Sequence, residues 1–479
     1  MELHEYASQD GLGLADLIRR KEVSVEEVRV CALKAIEKQN PEINAVIEVF
    51  DAPEIAAEPD PHSPFFGVPF LVKDLILHIA GRRYELGSQL AKGLVTPHDT
   101  DLMRAFRNAG LQTLGRCSTP EFGFCTTTEC IVNGPTRNPW NPALMSGGSS
   151  GATAAAVASG MVPMAHANDG GGSIRCPASC CGLVGLKPTR GRTPSGPDVG
   201  EGIFGLGIEF AVTRTVRDAA SLLDAVQGPG LGDPYVIAAP VRPYAEEIQR
   251  APRQLKIAFS VDAASGTHVE PWIQEAVRTQ AESLEKLGHD VVEARPQYDH
   301  DAFFDSNLIY WITGLANFVD HVSTLTGRAV NTETLEATTL ACYQEGKQFS
   351  ADDLINALAV GNQTCRAIAP FFDNYDVLLS PTNALSPQPL GTYNANDPNL
   401  DARGWAEHIF SFAPFTAVYN LTGQPAISLP LSMHDKVPVG LQFVGRYGDE
   451  ATLLRLAEQI YQHTPWSLLA NSDKATDHF

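Results

Sequence analysis

Short apolar runs alternate with helical patterns along most of this chain of 479 residues. Runs rich in β-branched and aromatic residues predict buried strands, and apolar residues that recur about every 3.6 positions predict helices. Residues 254–296 carry one such series, in the order strand, helix, strand. Strands that alternate with helices bury their apolar faces best in layers. The sequence therefore predicts an α/β fold.

The individual elements follow from the same patterns. In the first 50 residues we predict two helices, with Ser24 as the N-cap of the second and Glu27 as its capping-box partner. Residues 297–375 are predicted to be mainly helical. Further helices are predicted at 99–110, 152–160, 271–288 and 449–462, and strands at 65–77, 111–117, 160–169, 254–260, 289–295, 375–382, 425–432 and 439–446. No repeat or linker divides the chain, so we predict a single domain over residues 1–479.

Composition limits the classes of partner. The formal net charge is −21, which disfavours binding to nucleic acid or to anionic lipid, since both require clustered basic residues. No secretory signal and no apolar run of about 20 residues is visible. The nine cysteines include no CxxC pair and are interpreted as reduced core thiols. We expect a cytoplasmic protein with no membrane and no nucleic-acid partner.

The segment NDGGGSIRCPAS, residues 168–179, contains three consecutive glycines before Ser173. Such a run costs backbone entropy and contributes no side-chain packing. A tight turn that directs several backbone N–H groups at one point would bind an anion, including the oxyanion of a tetrahedral intermediate. Ser173 then stands where an attacking hydroxyl is needed. The same residues are also compatible with a flexible Gly-Ser turn.

Serine needs a base to act as a nucleophile at neutral pH, and no G-x-S-x-G elbow surrounds Ser173. Lys73 ends an apolar strand, and burial favours the neutral form of a lysine. A neutral Lys73 would accept the proton of Ser173 through Ser149 of the segment SGGSSGA. Two other interpretations remain open, namely an ion pair between Lys73 and Asp74 and a helix N-cap loop around Ser149.

Taken together, these segments resemble the amidase signature family. GVPFLVKDL contains Lys73, GGSSGA contains Ser149, and DGGGSIRCPASCCGLVGLKPTRGR contains Ser173, in the order and spacing of that family. Further similar segments are TRNPWNP, RTVRDAASLLDAV, LEKLGHDV, DVLLSPT and FTAVYNLTGQPAISLP. The resemblance extends over essentially the whole chain.

The resemblance implies an amidase signature fold, a large mixed β-sheet core surrounded by α-helices. The signature core would span about 60–240 and a variable substrate-pocket region about 297–420. It also implies a Ser-cisSer-Lys triad of Ser173, Ser149 and Lys73, with a cis peptide bond before Ser149 and an acyl-enzyme on Ser173. The backbone N–H groups of the oxyanion hole would come from Gly170, Gly171, Gly172 and Ser173. No cofactor and no metal is expected.

One position departs from the family pattern. Gly170 stands where relatives commonly carry Ile, Thr or a similar side chain, and the smaller residue is expected either to widen the pocket or to be neutral. Asp169 and Arg175, on either side of the glycines, are predicted to fix the loop by pairing or hydrogen bonding. Cys176, Cys180 and Cys181 are predicted to be core residues.

Residues in loops near the triad are expected to determine the substrate. Phe124, Cys125 and Thr126 are predicted to contact it, together with Ile309 and Tyr310 from the aromatic stretch at 303–318. We predict a broad-specificity amidase or aryl-acylamidase that cleaves C–N bonds of a small-molecule amide. The alternatives are a urethanase or nylon-oligomer hydrolase with the same triad, and the amidase-type subunit of a tRNA-dependent amidotransferase. The sequence leaves open whether the chain is a monomer or a homodimer.

Overall fold

A mixed sheet of eleven strands is the largest element of the computed structural model, which describes residues 1–467, 469 and 470. A separate two-stranded sheet pairs β4 with β5. The strands are β1 (Val46–Glu54), β2 (Pro69–Lys73), β3 (Gln112–Cys117), β4 (Glu129–Cys130), β5 (Gly134–Pro135), β6 (Met164–Asp169), β7 (Val184–Lys187), β8 (Ile208–Thr213), β9 (Lys256–Phe259), β10 (Asp290–Glu293), β11 (Val377–Pro381), β12 (Ala426–His434) and β13 (Val437–Gly445).

Helices surround this sheet. They are α1 (Leu3–Ser8), α2 (Gly11–Arg19), α3 (Val25–Ile43), α4 (Asp101–Asn108), α5 (Gly151–Ala158), α6 (Arg175–Cys181), α7 (Val216–Val226), α8 (Tyr244–Glu247), α9 (Pro271–Lys286), α10 (His300–Thr326), α11 (Ala337–Gly346), α12 (Ala351–Ile368), α13 (Phe371–Asn374), α14 (Ala402–Phe412), α15 (Val418–Leu421) and α16 (Glu450–His463). The predicted fold class, a large mixed sheet surrounded by helices, is confirmed.

The strand order across the large sheet is β1-β3-β2-β6-β8-β7-β12-β13-β11-β9-β10. Strand β2 runs parallel to both of its neighbours, β3 and β6, whereas β6, β8, β7, β12 and β13 are each antiparallel to the next. Every residue of β2, β6, β7 and β8 is buried. These four strands form the interior of the sheet, and their polar residues, among them His166, Asn168 and Glu209, are buried with them.

Local signals account for several element boundaries. Ser24 caps α3 and forms the predicted capping box with Glu27. The predicted strand at 65–77 is shorter in the structure, where β2 begins at Pro69 and ends at Lys73. The predicted strand at 160–169 likewise begins only at Met164, because the chain first turns at Gly160, which has a φ of +80°.

Two further sequence expectations concern the chain as a whole. All nine cysteines are free thiols, eight of them buried and Cys365 half-buried. Within the described residues, no helix combines the length and apolarity that a membrane span needs.

Candidate active site

Lys73 lies at the end of β2 and has no solvent exposure. Its Nζ donates hydrogen bonds to Ser149 Oγ at 2.7 Å, to Ser150 Oγ at 3.0 Å and to Asn168 Oδ1 at 2.5 Å. All three acceptors are neutral oxygens. The structure thus surrounds this lysine with hydrogen-bond partners but gives it no carboxylate in direct contact.

An ion pair between Lys73 and Asp74 is not formed. Successive residues of a strand point to opposite faces, and Asp74 instead accepts a hydrogen bond from Arg116 Nη1 at 2.7 Å. Burial lowers the pKa of Lys73 to about 7, against the opposing effect of the negative charges on Glu209 and Asp169. A substantial fraction of Lys73 is therefore neutral near pH 7 and able to accept a proton.

Ser149 reaches Lys73 from the loop that precedes α5. The peptide bond between Gly148 and Ser149 is cis, as the resemblance implied. At Gly148 a Cβ atom would lie 2.6 Å from the backbone nitrogen of Thr127, so this close approach admits only glycine. The next residue, Ser150, donates its backbone N–H to the carbonyl oxygen of Ser173 at 3.3 Å. The loop of Ser149 is thereby fastened to the segment that carries Ser173.

Ser173 is half-buried and follows the glycine run just before α6. Gly172 has a φ of +143°, and a Cβ there would lie 2.5 Å from Thr416 Oγ1. In the described part of the chain, no protein acceptor receives a hydrogen bond from the backbone N–H groups of Gly171, Gly172 or Ser173. Free, adjacent N–H groups beside a hydroxyl form an arrangement that can bind an oxyanion.

The side chains of Asp169 and Arg175 close the loop between β6 and α6, which we call the 169–175 loop. Arg175 Nε lies 2.9 Å from Asp169 Oδ2, and Arg175 Nη2 lies 2.8 Å from Asp169 Oδ1. The same carboxylate accepts the backbone N–H groups of Ile174 and Arg175. These interactions outweigh burial and hold the pKa of Asp169 well below its usual range, with Arg175 as the main cause. Both side chains play the fixing role predicted from the sequence.

A cavity of about 350 Å³, partly open to solvent, lies beside Ser173, and we call it the Ser173 cavity. Its wall is largely apolar, as is usual for small-molecule sites. None of the side chains that line it is charged. The lining residues are Gly123, Phe124, Cys125, Thr126, Gly148, Gly171, Gly172, Ser173, Cys176, Trp311, Ile409, Phe410 and Ala413.

Aromatic packing shapes this wall. The rings of Phe124 and Trp311 stack with centroids 4.8 Å apart. A Cβ on Gly170 would lie 3.0 Å from the Trp311 ring, so the small residue at this position makes room for the indole. The structure thus gives the glycine that departs from the family pattern a packing role behind the cavity wall.

The residues predicted to contact substrate divide into two groups. Phe124, Cys125 and Thr126 line the Ser173 cavity. Ile309 and Tyr310 do not line it, and the Tyr310 hydroxyl instead donates to the carbonyl oxygen of Ala357 at 2.7 Å. Successive residues of a helix point about 100° apart, so α10 presents the next residue, Trp311, to the cavity.

The thiols near Ser173 are poor nucleophiles. Burial raises the pKa of Cys176 to about 12, and it also raises the pKa of Cys125 and Cys181. A thiol with a pKa that far above neutrality remains protonated, and the thiolate is the reactive form. These cysteines therefore act as small apolar side chains.

Sequence reasoning missed the polar residues of β6 that support Lys73. His166 Nδ1 accepts the backbone N–H of Lys73 at 3.3 Å, which leaves the ring proton on Nε2, 2.8 Å from Glu209 Oε2. Asn168 Nδ2 also donates to Glu209 Oε2, at 3.5 Å. The sequence did carry a signal, because His166 and Asn168 lie on one face of a buried strand whose residues before Asp169 are otherwise apolar. Trp311 lies in the aromatic stretch at 303–318 that was singled out, but nothing distinguished it from its neighbours, and Phe410 gave no signal.

The chain is similar in sequence and in fold to known proteins. The family model described as Amidase matches residues 28–454. A 6-aminohexanoate-cyclic-dimer hydrolase of Pseudomonas sp. (strain NK87) is 35% identical over 473 residues, which cover 96% of this chain and 95% of that protein. The enzyme of the same name from Paenarthrobacter ureafaciens is 35% identical over 474 residues, with 96% and 95% covered. The solved structure of 6-aminohexanoate cyclic dimer hydrolase gives a TM-score of 0.90 at 33% identity and covers 97% of this chain and 98% of that one.

Replacement of Arg175 by methionine should destabilise the protein by about 3–5 kcal/mol at pH 7, because the Asp169 carboxylate would stay buried without its cation. Urea denaturation measures the difference. The matched control is Arg403→Met, which removes an exposed ion pair and should cost less than about 1 kcal/mol.

The ion pair of Asp169 and Arg175 also predicts how the difference in unfolding free energy between the wild type and Arg175→Met changes with pH. A depressed carboxyl pKa contributes stability that is present above the unfolded pKa and is lost as the pH falls. The gap between the wild type and Arg175→Met should therefore narrow as the pH falls below about 3.9. An equal gap at pH 7 and under acid conditions would contradict the assignment of the ionised pair.

Proposed function

The chain belongs to the amidase family and is a hydrolase of amide C–N bonds, and we propose that it works through a relay from Ser173 through Ser149 to Lys73. The observation that carries this proposal is the short contact between Lys73 Nζ and Ser149 Oγ, in a site where burial lowers the pKa of Lys73 to about 7. A lysine that is partly neutral and bonded to a hydroxyl is suited to accept a proton from it.

In the first half of the reaction, Ser173 Oγ attacks the amide carbonyl carbon. Ser149 takes the proton of Ser173 and passes its own to neutral Lys73. The carbonyl oxygen becomes an oxyanion, which accepts hydrogen bonds from backbone N–H groups of the run Gly170, Gly171, Gly172 and Ser173. Each such donor contributes about 3 kcal/mol of transition-state stabilisation. Because these N–H groups have no other acceptor within the described residues, no bond must break first.

In the second half, the relay returns the proton. The tetrahedral intermediate collapses, the C–N bond breaks, and Ser149 protonates the leaving amine while Lys73 returns a proton to Ser149. The acyl group remains as an ester on Ser173. Water then attacks this ester with the same relay as base and releases the carboxylic acid. Every proton is balanced among the three side chains, the amine and water.

Removal of the nucleophile tests the chemistry. Ser173→Ala should lower kcat on an anilide substrate by on the order of 10⁴- to 10⁶-fold while the protein stays folded. Steady-state kinetics and circular dichroism measure the two properties. Ser159→Ala is the matched control, because the Ser159 hydroxyl only caps the carbonyl of Ala156 at the end of α5. Unchanged turnover in Ser173→Ala would reject Ser173 as the nucleophile.

Removal of the charge on Glu209 tests the role of Lys73. Glu209 raises the pKa of Lys73, so Glu209→Gln should lower that pKa further and keep the hydrogen-bonding shape. If neutral Lys73 is the base, kcat/KM rises as the pH passes its pKa, and this acid limb should move to lower pH in the variant. The pH dependence of kcat/KM measures the shift.

A matched control separates this effect from a general loss of charge. Glu270→Gln changes a partly buried carboxylate that bonds Ser386 and Trp272 and is not among the charges that shift the pKa of Lys73. Its acid limb should stay at the wild-type position. An acid limb that stays in place or moves to higher pH in Glu209→Gln would contradict Lys73 as the titrating base.

We further propose that the substrate carries an uncharged acyl group. The wall of the Ser173 cavity offers the aromatic rings of Phe124, Trp311 and Phe410 and no charged side chain. Transfer of a carboxylate or ammonium group into such a site without a partner is costly. A neutral amide, anilide or aryl carbamate fits this wall.

A second candidate, a cyclic amide oligomer as substrate, is favoured by the two relatives at 35% identity, which are named for the 6-aminohexanoate cyclic dimer. A cyclic dimer has no free ends and hence no charge, in agreement with the uncharged wall. The tRNA-dependent amidotransferase alternative has weaker support, because the solved amidotransferase subunit is 24% identical and shows a shared fold only.

A substrate panel tests charge and bond type together. The panel contains an anilide with a neutral acyl chain, the same anilide with a terminal carboxylate, an aryl carbamate, and the cyclic and linear dimers of 6-aminohexanoate. We expect kcat/KM to fall by about tenfold or more for each charged member relative to its neutral match, which corresponds to about 1.4 kcal/mol. Equal rates on neutral and carboxylate-bearing anilides would reject the proposed uncharged pocket, and the fastest neutral member would identify the bond type.

A further inference from the structure

Three potential metal ligands converge outside the Ser173 cavity. His78 lies in the connection between β2 and α4, His98 lies shortly before α4, and Asp198 lies in the connection between β7 and β8. His98 Nε2 is 2.8 Å from Asp198 Oδ2, and His78 Nδ1 is 3.1 Å from the same oxygen. One nitrogen of each histidine and a carboxylate oxygen all lie within 4.8 Å of one another.

Backbone hydrogen bonds hold these residues in place. The N–H of Thr100 donates to the carbonyl oxygen of His78 at 3.2 Å. The N–H of Asp101 donates to the carbonyl oxygen of Gly196 at 2.9 Å. The bond from Thr100 joins His78 to the start of α4, which directly follows His98. The bond from Asp101 joins the start of α4 to the segment that precedes Asp198. The cluster is therefore positioned by the backbone as well as by its own side chains.

The hydrogen bonding inside the cluster is incomplete. Asp198 already receives His98 Nε2 at both carboxylate oxygens, at 2.9 and 2.8 Å. His78 Nδ1 is buried and has no hydrogen-bond partner of suitable geometry in the described part of the chain, although Asp198 is near it. A buried ring nitrogen that lies 3.1 Å from a carboxylate without a well-aligned hydrogen bond, beside a second imidazole, is an uncommon feature that calls for an explanation.

We propose that His78, His98 and Asp198 bind a divalent transition-metal ion such as Zn²⁺. Imidazole nitrogens with one carboxylate suit Zn²⁺, Co²⁺ or Ni²⁺, whereas Mg²⁺ and Ca²⁺ prefer oxygen ligands alone. Ligands about 2.0–2.2 Å from a tetrahedral ion are about 3.3–3.6 Å from each other. The two nitrogen-to-carboxylate distances here, 2.8 and 3.1 Å, are slightly shorter, and all three ligand atoms lie within 4.8 Å of one another. The ion would also give His78 Nδ1 a well-aligned partner. About two-fifths of the His98 and Asp198 side chains is exposed, which leaves a path from solvent.

The position of the cluster points to a structural role. None of its three residues lines the Ser173 cavity, so the hydrolytic relay does not pass through it. The segment that begins at Asp198 continues to Ile203, whose side chain would lie 3.3 Å from a Cβ on Gly170. The segment from Asp198 to Ile203 packs against the 169–175 loop. A bound ion would thus fasten this segment to the β2–α4 connection.

Calorimetric titration of the untagged, full-length, metal-free protein with ZnCl₂ tests the proposal. We expect one Zn²⁺ to bind per chain at micromolar concentration. His98→Ala and Asp198→Ala should each weaken binding by about tenfold or more. Because both residues are partly exposed, the variants should keep the wild-type circular dichroism spectrum. Co²⁺ titration should give a visible absorption band that both variants lose.

His434→Ala is the matched control, since His434 is an exposed histidine whose nitrogen lies 3.7 Å from Asp435 in a different part of the fold. It should bind Zn²⁺ as the wild type does. The proposal is rejected if the wild type does not bind Zn²⁺, or if the double variant of His98 and Asp198 binds it as tightly as the wild type. The second result would place the ion elsewhere, for example at a thiol.

Discussion

The buried ion pair between Asp169 and Arg175 is the interaction on which the geometry around Ser173 depends. Neither side chain has solvent exposure, and the two join the end of β6 to the start of α6 across five residues that include the whole glycine run. The carboxylate also takes the backbone N–H groups of Ile174 and Arg175. Those bonds give the N–H groups at the start of α6 an acceptor within the protein. The N–H groups of the preceding glycines are left for a ligand. A loop of glycines would otherwise sample many conformations, so the pair supplies the rigidity that its own residues lack.

Lys73 and Arg175 show two different solutions to a buried cation. The guanidinium of Arg175 pairs with the Asp169 carboxylate through two nitrogens and also donates to Gln442 Oε1. Lys73 contacts only neutral oxygens, and its negative neighbours Glu209 and Asp169 act without touching it. The arginine therefore serves as a fixed structural charge, whereas the lysine is free to exchange a proton near neutral pH. The same low-dielectric interior produces both results, and the difference lies in the partners that the fold provides.

Much of this arrangement was readable in the sequence, and the exceptions have physical causes. The strand that carries Lys73, the capping box of α3 and the α/β class follow from local patterns, since each depends on residues adjacent in the chain. Strands β7 and β8 were not predicted, and neither was α6, whose Pro177 and three cysteines are poor helix formers. Asp169 stabilises the start of that helix by accepting the N–H groups of Ile174 and Arg175; its role in fixing the loop was predicted, but the helix that it caps was not. Ile309 and Tyr310 were chosen over Trp311 because composition identifies an aromatic helix but not the rotation that decides which residue faces the cavity.

The relay and most of the aromatic wall come from separate parts of the chain, and this separation bears on specificity. Lys73 ends β2, Ser149 precedes α5 and Ser173 precedes α6, and α5 contacts both β2 and α6. Trp311 and Phe410 come from α10 and α14, and Phe124 comes from the loop before β4. The two parts meet at Gly170, where the absence of a side chain lets the Trp311 ring approach the 169–175 loop. A larger residue at that position would push the indole outward and reshape the cavity without touching the ion pair or the lysine. Substrate choice can therefore change at this contact while the proton relay keeps its geometry.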